Sequence, residues 1–208
     1  MLKRFLTYCS LLSCLACSKL NYTPAKSPKA FTDPRDGQKY GYVEIDDRYW
    51  MTENMRYKVE GSKLNPDNPS PLFGRLYNWE QAMKACPEGW RLSTDIDWMM
   101  LEKHFIDGDS LLVKEAFRGQ NVKILKSKKD WTTPGTDSLS LNILPAGGGD
   151  HTELHSLHTT AFFWTSDSHL VSKFAYYRII SENNEGIYYG ITTKTRYFSC
   201  RCVKSVEM

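Results

Sequence analysis

Residues 74–101 read GRLYNWEQAMKACPEGWRLSTDIDWMML, and this stretch decides the fold. Leu76-Tyr77 is strand-like. Asn78 follows as an N-cap, its short side chain suited to accept from a free amide of the first helical turn. Trp79, Ala82, Met83 and Cys86 then fall at i, i+3, i+4 and i+7, the spacing of one helical face. Pro87-Glu88-Gly89 stops that helix. After the extended Trp90-Arg91-Leu92, Thr94 with Asp97 three residues later makes a capping-box-like start. Trp98, Leu101 and Phe105 line the face of a second helix. The segment therefore predicts two short helices joined by a Pro-Gly turn, each entered from a strand.

Working outward toward the N-terminus, Gln38 to Ile45 has the strand formers Tyr40, Tyr42, Val43 and Ile45. Asp46-Asp47 is a turn, and Arg48 to Thr52 returns as the second arm of a hairpin. Residues 61–71, GSKLNPDNPSP, are loop. Toward the C-terminus, short apolar runs alternate with turn residues. Asn121–Leu125, Leu139–Leu144, Ala161–Trp164, Phe174–Ile180, Gly186–Ile191 and Phe198–Val203 are the predicted strands. Gly147-Gly148-Gly149 and Asn183 to Gly186 are predicted loops. Helices grouped ahead of consecutive strands argue for an α+β fold with a mainly antiparallel, loop-rich β half.

The first residues are an address. Lys3 and Arg4 form a positive start, and Phe5 to Ala16 is an apolar run too short to span a bilayer. The run ends in Cys17, followed by polar residues. This pattern is similar to a bacterial lipoprotein signal, in which the chain is cut before a Cys that then carries lipid. Residues 1–16 are read as signal peptide and Cys17 as the lipidation site, with Cys14 as the alternative. Residues 17–30, rich in Ser, Lys and Pro, are read as a tether, and residues 31–208 as the globular domain. The expected location is the cell envelope, lipid-anchored to the outer membrane, with the facing side left open.

Composition narrows the function classes. Among 208 residues, 41% are hydrophobic, 25% charged and 13% aromatic, with a net charge of +3. That is globular composition, and the small net charge argues against a nucleic-acid partner. Beyond the N-terminus no apolar run is long enough for a membrane helix.

Several motifs occur together and in order: DGQKY with YWMTENM, GRLYNW, ACPEGWRLSTDIDWMML, LPAGGG, FFWTSD, AYYRII and CRCVK. From about residue 31 to 204 the chain resembles the Fibrobacter succinogenes major paralogous domain, found in secreted proteins and lipoproteins. Its central segment is also similar to the C-type-lectin-like superfold, whose core is shared by formylglycine-generating oxidases. The resemblance implies a disulfide between the first helix and the last strand, which places it on Cys86 and Cys202 and leaves Cys200 as a free thiol. It implies no established activity, so function has to be argued from sites.

Four sites are candidates. Trp164-Thr165-Ser166-Asp167 stands near the place where lectins of the resembled superfold carry a calcium-binding Trp-Asn-Asp. Trp164 and Asp167 are thus candidate ligand contacts, with a packed Trp beside a loop Asp as the plain alternative. Asp150 to His158 holds His151, His155 and His158 with two carboxylates, a donor set that suits Zn²⁺ or Cu²⁺; a polar loop is the alternative. Lys123 to Lys129 is a basic run, read as a solvated face. The tandem pairs Tyr176-Tyr177 and Tyr188-Tyr189 put one ring on each face of a strand, and an exposed ring offers a stacking surface to the apolar face of a sugar. The leading expectation is a non-enzymatic envelope module that binds a glycan or a partner envelope protein through residues 145–195, with no cofactor. The alternatives are an oxidase-like or metal-dependent enzyme using the His151–His158 loop, and a structural subunit of an outer-membrane complex.

Overall fold

A computed structural model describes residues 29–67 and 70–206. The signal, Cys14, Cys17 and most of the tether lie outside these residues. The strands are β1 (Lys29–Thr32), β2 (Lys39–Ile45), β3 (Arg48–Met51), β4 (Leu76–Tyr77), β5 (Arg91–Leu92), β6 (Ala116–Arg118), β7 (Gly148–Gly149), β8 (Leu154–His155), β9 (Thr160–Ser168), β10 (Phe174–Ser181), β11 (Ile187–Thr193), β12 (Phe198–Ser199) and β13 (Cys202–Ser205). Helix α1 is Trp79–Ala85 and α2 is Asp95–Glu102. Five strands form one sheet in the order β1-β2-β3-β13-β5, six form a second in the order β4-β12-β9-β10-β11-β6, and β7 pairs with β8. All named pairings are antiparallel except β12 with β9. The α+β, mainly antiparallel class is as the sequence implies.

Both helices begin with a complete capping box. The Asn78 side chain accepts from the Gln81 amide while Gln81 accepts from the Asn78 amide, and Thr94 and Asp97 do the same for α2. Each box satisfies two amides that a helix start otherwise leaves orphaned. Helix α1 ends where Cys86 turns extended ahead of Pro87. Its buried residues are Trp79, Ala82 and Ala85, whereas Met83, assigned above to the inner face, is exposed. With α1 only seven residues long, Ala85 replaces Met83 on the packed side.

Alternation along the strands separates two cores. Trp50, Phe163 and Val203 face one, shared with Trp98 and Leu101 of α2. Met51, Trp164 and Cys202 face the other, shared with Trp79, Ala82 and Ala85 of α1. The closing segment ties both sheets together, because β12 lies in the six-stranded sheet and β13 in the five-stranded one. Between them Arg201 is buried. It donates to the Met51 carbonyl at 2.8 Å, the Leu141 carbonyl at 2.7 Å and Asn54 Oδ1 at 2.7 Å. Burial pushes its guanidinium down to about 10. Cys86 and Cys202 form a disulfide with Cα atoms 5.8 Å apart across 116 positions of sequence. Chain-entropy models assign such a loop roughly 4–5 kcal/mol. Cys200 is the free, buried thiol, 3.6 Å from Cys86 Sγ.

Four expectations change. Asn121–Leu125 is not a strand: Val122–Ile124 is a 3-10 turn entered through Asn121 at φ 71°. Leu139–Leu144 is not a strand either, since Ser140 and Asn142 sit at φ 56° and 49°. Left-handed residues cannot continue a ladder, so Leu139, Leu141, Ile143 and Leu144 are buried from an irregular segment. Gly148-Gly149, expected as loop, is β7, where a Cβ on Gly149 would stand 2.0 Å from the Glu153 carbonyl oxygen. Finally, β1 takes in Lys29 and Ala30, which the sequence reading gave to the tether, and Phe31 stacks on Trp90 at 5.1 Å.

Candidate functional site

The six-stranded sheet sorts the tandem tyrosines. On one face, Tyr189 is buried and donates its hydroxyl to Asp95 Oδ2 at 2.7 Å. Arg178, fully buried, donates to Asp95 Oδ1 at 2.8 Å and Glu102 Oε1 at 2.7 Å, and Arg118 donates to Glu102 Oε2. The two guanidinium carbons lie 3.8 and 4.6 Å from the Tyr189 ring centre. Burial raises the Tyr189 pKa, and so does the hydrogen bond to Asp95. Asp95 and Glu102 lie two turns apart on α2, so this network seats the helix on β6, β10 and β11. Tyr176 is half-buried beside it, 5.6 Å from Tyr189.

On the other face the rings run in a line across the sheet. Phe117 lies 5.3 Å from Tyr188, Tyr188 5.9 Å from Tyr177, Tyr177 5.2 Å from Phe198, Phe198 5.0 Å from Phe162, and Phe162 6.4 Å from His155. Phe198 is the buried hub. Tyr177, Tyr188 and Phe162 are half-buried, His155 is exposed, and Phe117 is 40% exposed. Two glycines make room for the line. A Cβ on Gly190 would stand 2.3 Å from a Tyr188 ring atom and 3.0 Å from a Tyr177 ring atom; one on Gly148 would stand 2.9 Å from both Phe162 and Phe198. The two glycines thus leave the space that these ring atoms occupy, while Tyr177, Tyr188 and Phe162 stay half-buried. Burial pushes the Tyr177 phenol up to about 12, with Tyr188 adding to the effect.

Hydrogen-bonding groups collect around the ribbon β7-β8 at the His155 end of the line. Asp150 accepts from Thr152 Oγ1, the Thr152 amide and the Glu153 amide, which hold its carboxyl well below the usual range. It also pairs with Arg196 at 3.3 Å. A shallow cavity of about 440 Å³ lies beside it, between Lys63 and Arg75 on one side and Asp150 and Glu153 on the other.

The remaining candidates fall elsewhere. Trp164 is a core residue, fully buried, with its Nε1 donating to the Tyr77 carbonyl at 2.8 Å. It is therefore not available to a ligand at the surface. Asp167 Oδ2 accepts from the Asp95 amide at 2.7 Å and so serves the start of α2, and burial raises its pKa. The histidines have separate local partners: His151 offers its carbonyl to Lys63, His155 Nδ1 meets Ser156 Oγ, and His158 Nδ1 meets the Asp130 carbonyl. Among the described residues the grouping with metal-ligand spacing is Cys86, Cys200 and Cys202, and two of those sulfurs form the disulfide.

The sequence reading found Tyr177 and Tyr188 but missed Phe117, Phe162, Phe198 and Gly190. Phe162 was within reach, because alternation along Ala161–Trp164 puts it opposite the core residue Phe163. Phe117 carried no strand signal, since β6 is three residues long and pairs only with β11.

No curated protein and no solved structure gives a match to this chain. The family model described as the Fibrobacter succinogenes major domain matches residues 43–204, a span that holds both helices, the disulfide and the whole line of rings. The chain belongs to the Fibrobacter succinogenes major domain family.

Proposed function

We propose that this protein is a non-catalytic glycan-binding module of the cell envelope, and that the exposed ring of Phe117 and the half-buried rings of Tyr188 and Tyr177 are its binding face. The observation that carries this reading is the unbroken run of ring contacts from Phe117 to His155, whose half-exposed members are seated over glycine. Aromatic rings bury large apolar area and tolerate a C–H edge against their electron-rich face. The apolar face of a pyranose offers such edges. A row of rings crossing adjacent strands suits an extended oligosaccharide better than a single sugar. Asp150, Arg196 and Lys63 supply charged donors and acceptors for hydroxyls near one end.

The arrangement of a hairpin, two short helices and then a run of strands, stapled from the end of α1 to β13, is the basis for proposing a C-type-lectin-like topology. The N-terminal signal supports attachment through lipid on Cys17, or alternatively Cys14, in the outer membrane. A glycan array probed with the full chain tests the main reading. Binding to extended oligosaccharides supports it. An array without hits, together with capture of an envelope protein, overturns it in favour of a protein-binding module. Fractionation of Cys17→Ala tests the anchor: the variant is expected in the soluble fraction, and a variant that still pellets after cleavage moves the anchor to Cys14 or removes it.

A further inference from the structure

The β10–β11 turn and the segment after β6 enclose a second cavity, of about 290 Å³. Lys126 lines it and is 4% exposed. Its Nζ lies over the Trp131 ring, 4.4 Å from the ring centre. Glu182 lines the same cavity. Its Oε1 accepts from Thr133 Oγ1 at 3.0 Å, but its Oε2 is buried with no partner. The cavity is therefore lined by a buried acceptor without a partner among the described residues and by an ammonium that lies over the Trp131 ring and feels the Glu182 charge without a direct ion pair. Leaving such groups buried and unmatched is costly.

We infer that this cavity binds a neutral, hydroxyl-rich ligand, a single sugar unit, which bridges Lys126 and Glu182. A hydroxyl both accepts and donates, so neighbouring hydroxyls on one ring can take a bond from Lys126 Nζ and give one to Glu182 Oε2. The two charges cancel, as do those of Lys123 and Glu185 at the exposed rim, which selects a neutral guest over an ion. The carboxamides of Gln120, Asn121 and Asn184 add groups of the same dual character. Burial lowers the Lys126 pKa, and the Glu182 carboxylate works to raise it. This site is separate from the aromatic line and does not rest on it.

The test is titration of the full chain with glucose, galactose, mannose, xylose and N-acetylglucosamine, followed by amide chemical shifts. Shifts are expected at 120–122 and 182–186 for at least one sugar. Lys126→Met, which removes the ammonium, and Glu182→Gln should each weaken that binding about tenfold, while Tyr188→Ala leaves it unchanged. Should Lys126→Met fail to fold, Glu182→Gln carries the test alone. The inference is overturned if none of the sugars shifts these amides, if glycine or inorganic phosphate binds there in preference, or if the effect follows Tyr188 rather than Lys126 and Glu182.

Discussion

Two adjacent tyrosines, Tyr188 and Tyr189, belong to opposite faces of one sheet and do different work. Tyr189 closes a buried network in which Asp95 and Glu102 are matched by Arg178 and Arg118. Tyr188 lies over Gly190, touches Phe117 and Tyr177, and keeps part of its ring in solvent. One face is built from buried carboxylates matched by arginines, and changing a member affects stability. The other is built from rings that solvent already reaches, and changing a member affects what the surface can hold. Residue type does not separate the two roles; the partners across the strand do.

The largest expected effect comes from breaking the buried face. Arg178→Met leaves Asp95 and Glu102 without their main partner, and loss of one member of a buried pair typically costs about 3–5 kcal/mol. Chemical denaturation should show that loss. A loss under about 1 kcal/mol would mean that α2 is held by its apolar contacts alone. A smaller break on the same helix comes from acid. Burial works to raise the Asp97 pKa, but hydrogen bonds from Arg91, Thr94 and Arg48 outweigh it and hold the carboxyl at about 2. A depressed folded pKa means stability that is complete above the unfolded value of about 4 and is lost as pH falls from about 4 toward 2. The expected loss is of order 2 kcal/mol, read as the difference in acid slope between the wild type and Asp97→Asn. Equal slopes would remove Asp97 from the account.

Tyr189→Phe should cost about 1–2 kcal/mol, because Asp95 loses a buried donor. Tyr188→Phe should cost less than about 0.5 kcal/mol, as exposed substitutions usually do. Equal costs would erase the distinction between the faces. The smallest stability effect is expected for Gly190→Ala. Its backbone is not left-handed, so the added methyl acts mainly by lifting the Tyr177 and Tyr188 rings. Binding should weaken while the melting temperature moves by less than about 2 °C; unchanged binding would detach the rings' seating from recognition.

The helical segment was legible because its signals are local. Asn78 with Gln81 and Thr94 with Asp97 carry their own boundaries, and Pro87 fixes the stop. The hairpin β2-β3 was equally plain around Asp46-Asp47. The region 119–147 was not, because its apolar residues resemble strand runs while Asn121, Ser140 and Asn142 take left-handed conformations that only tertiary contacts select. The site was half legible. Alternation separates Tyr176 from Tyr177, but which face α2 covers depends on Arg178 meeting Asp95 and Glu102, residues more than seventy positions away in sequence.

The central claim is that the part of the ring line solvent reaches, at Phe117, Tyr188 and Tyr177, is the binding surface. The most direct measurement compares the wild type with the Tyr177→Ala/Tyr188→Ala double variant, using isothermal titration with the best oligosaccharide from an array and denaturation of both proteins. The account predicts at least about a tenfold loss of affinity in a double variant that still folds, with a lower stability where Tyr177 no longer packs on Phe198. Affinity unchanged in a folded double variant would contradict it and move recognition to another surface.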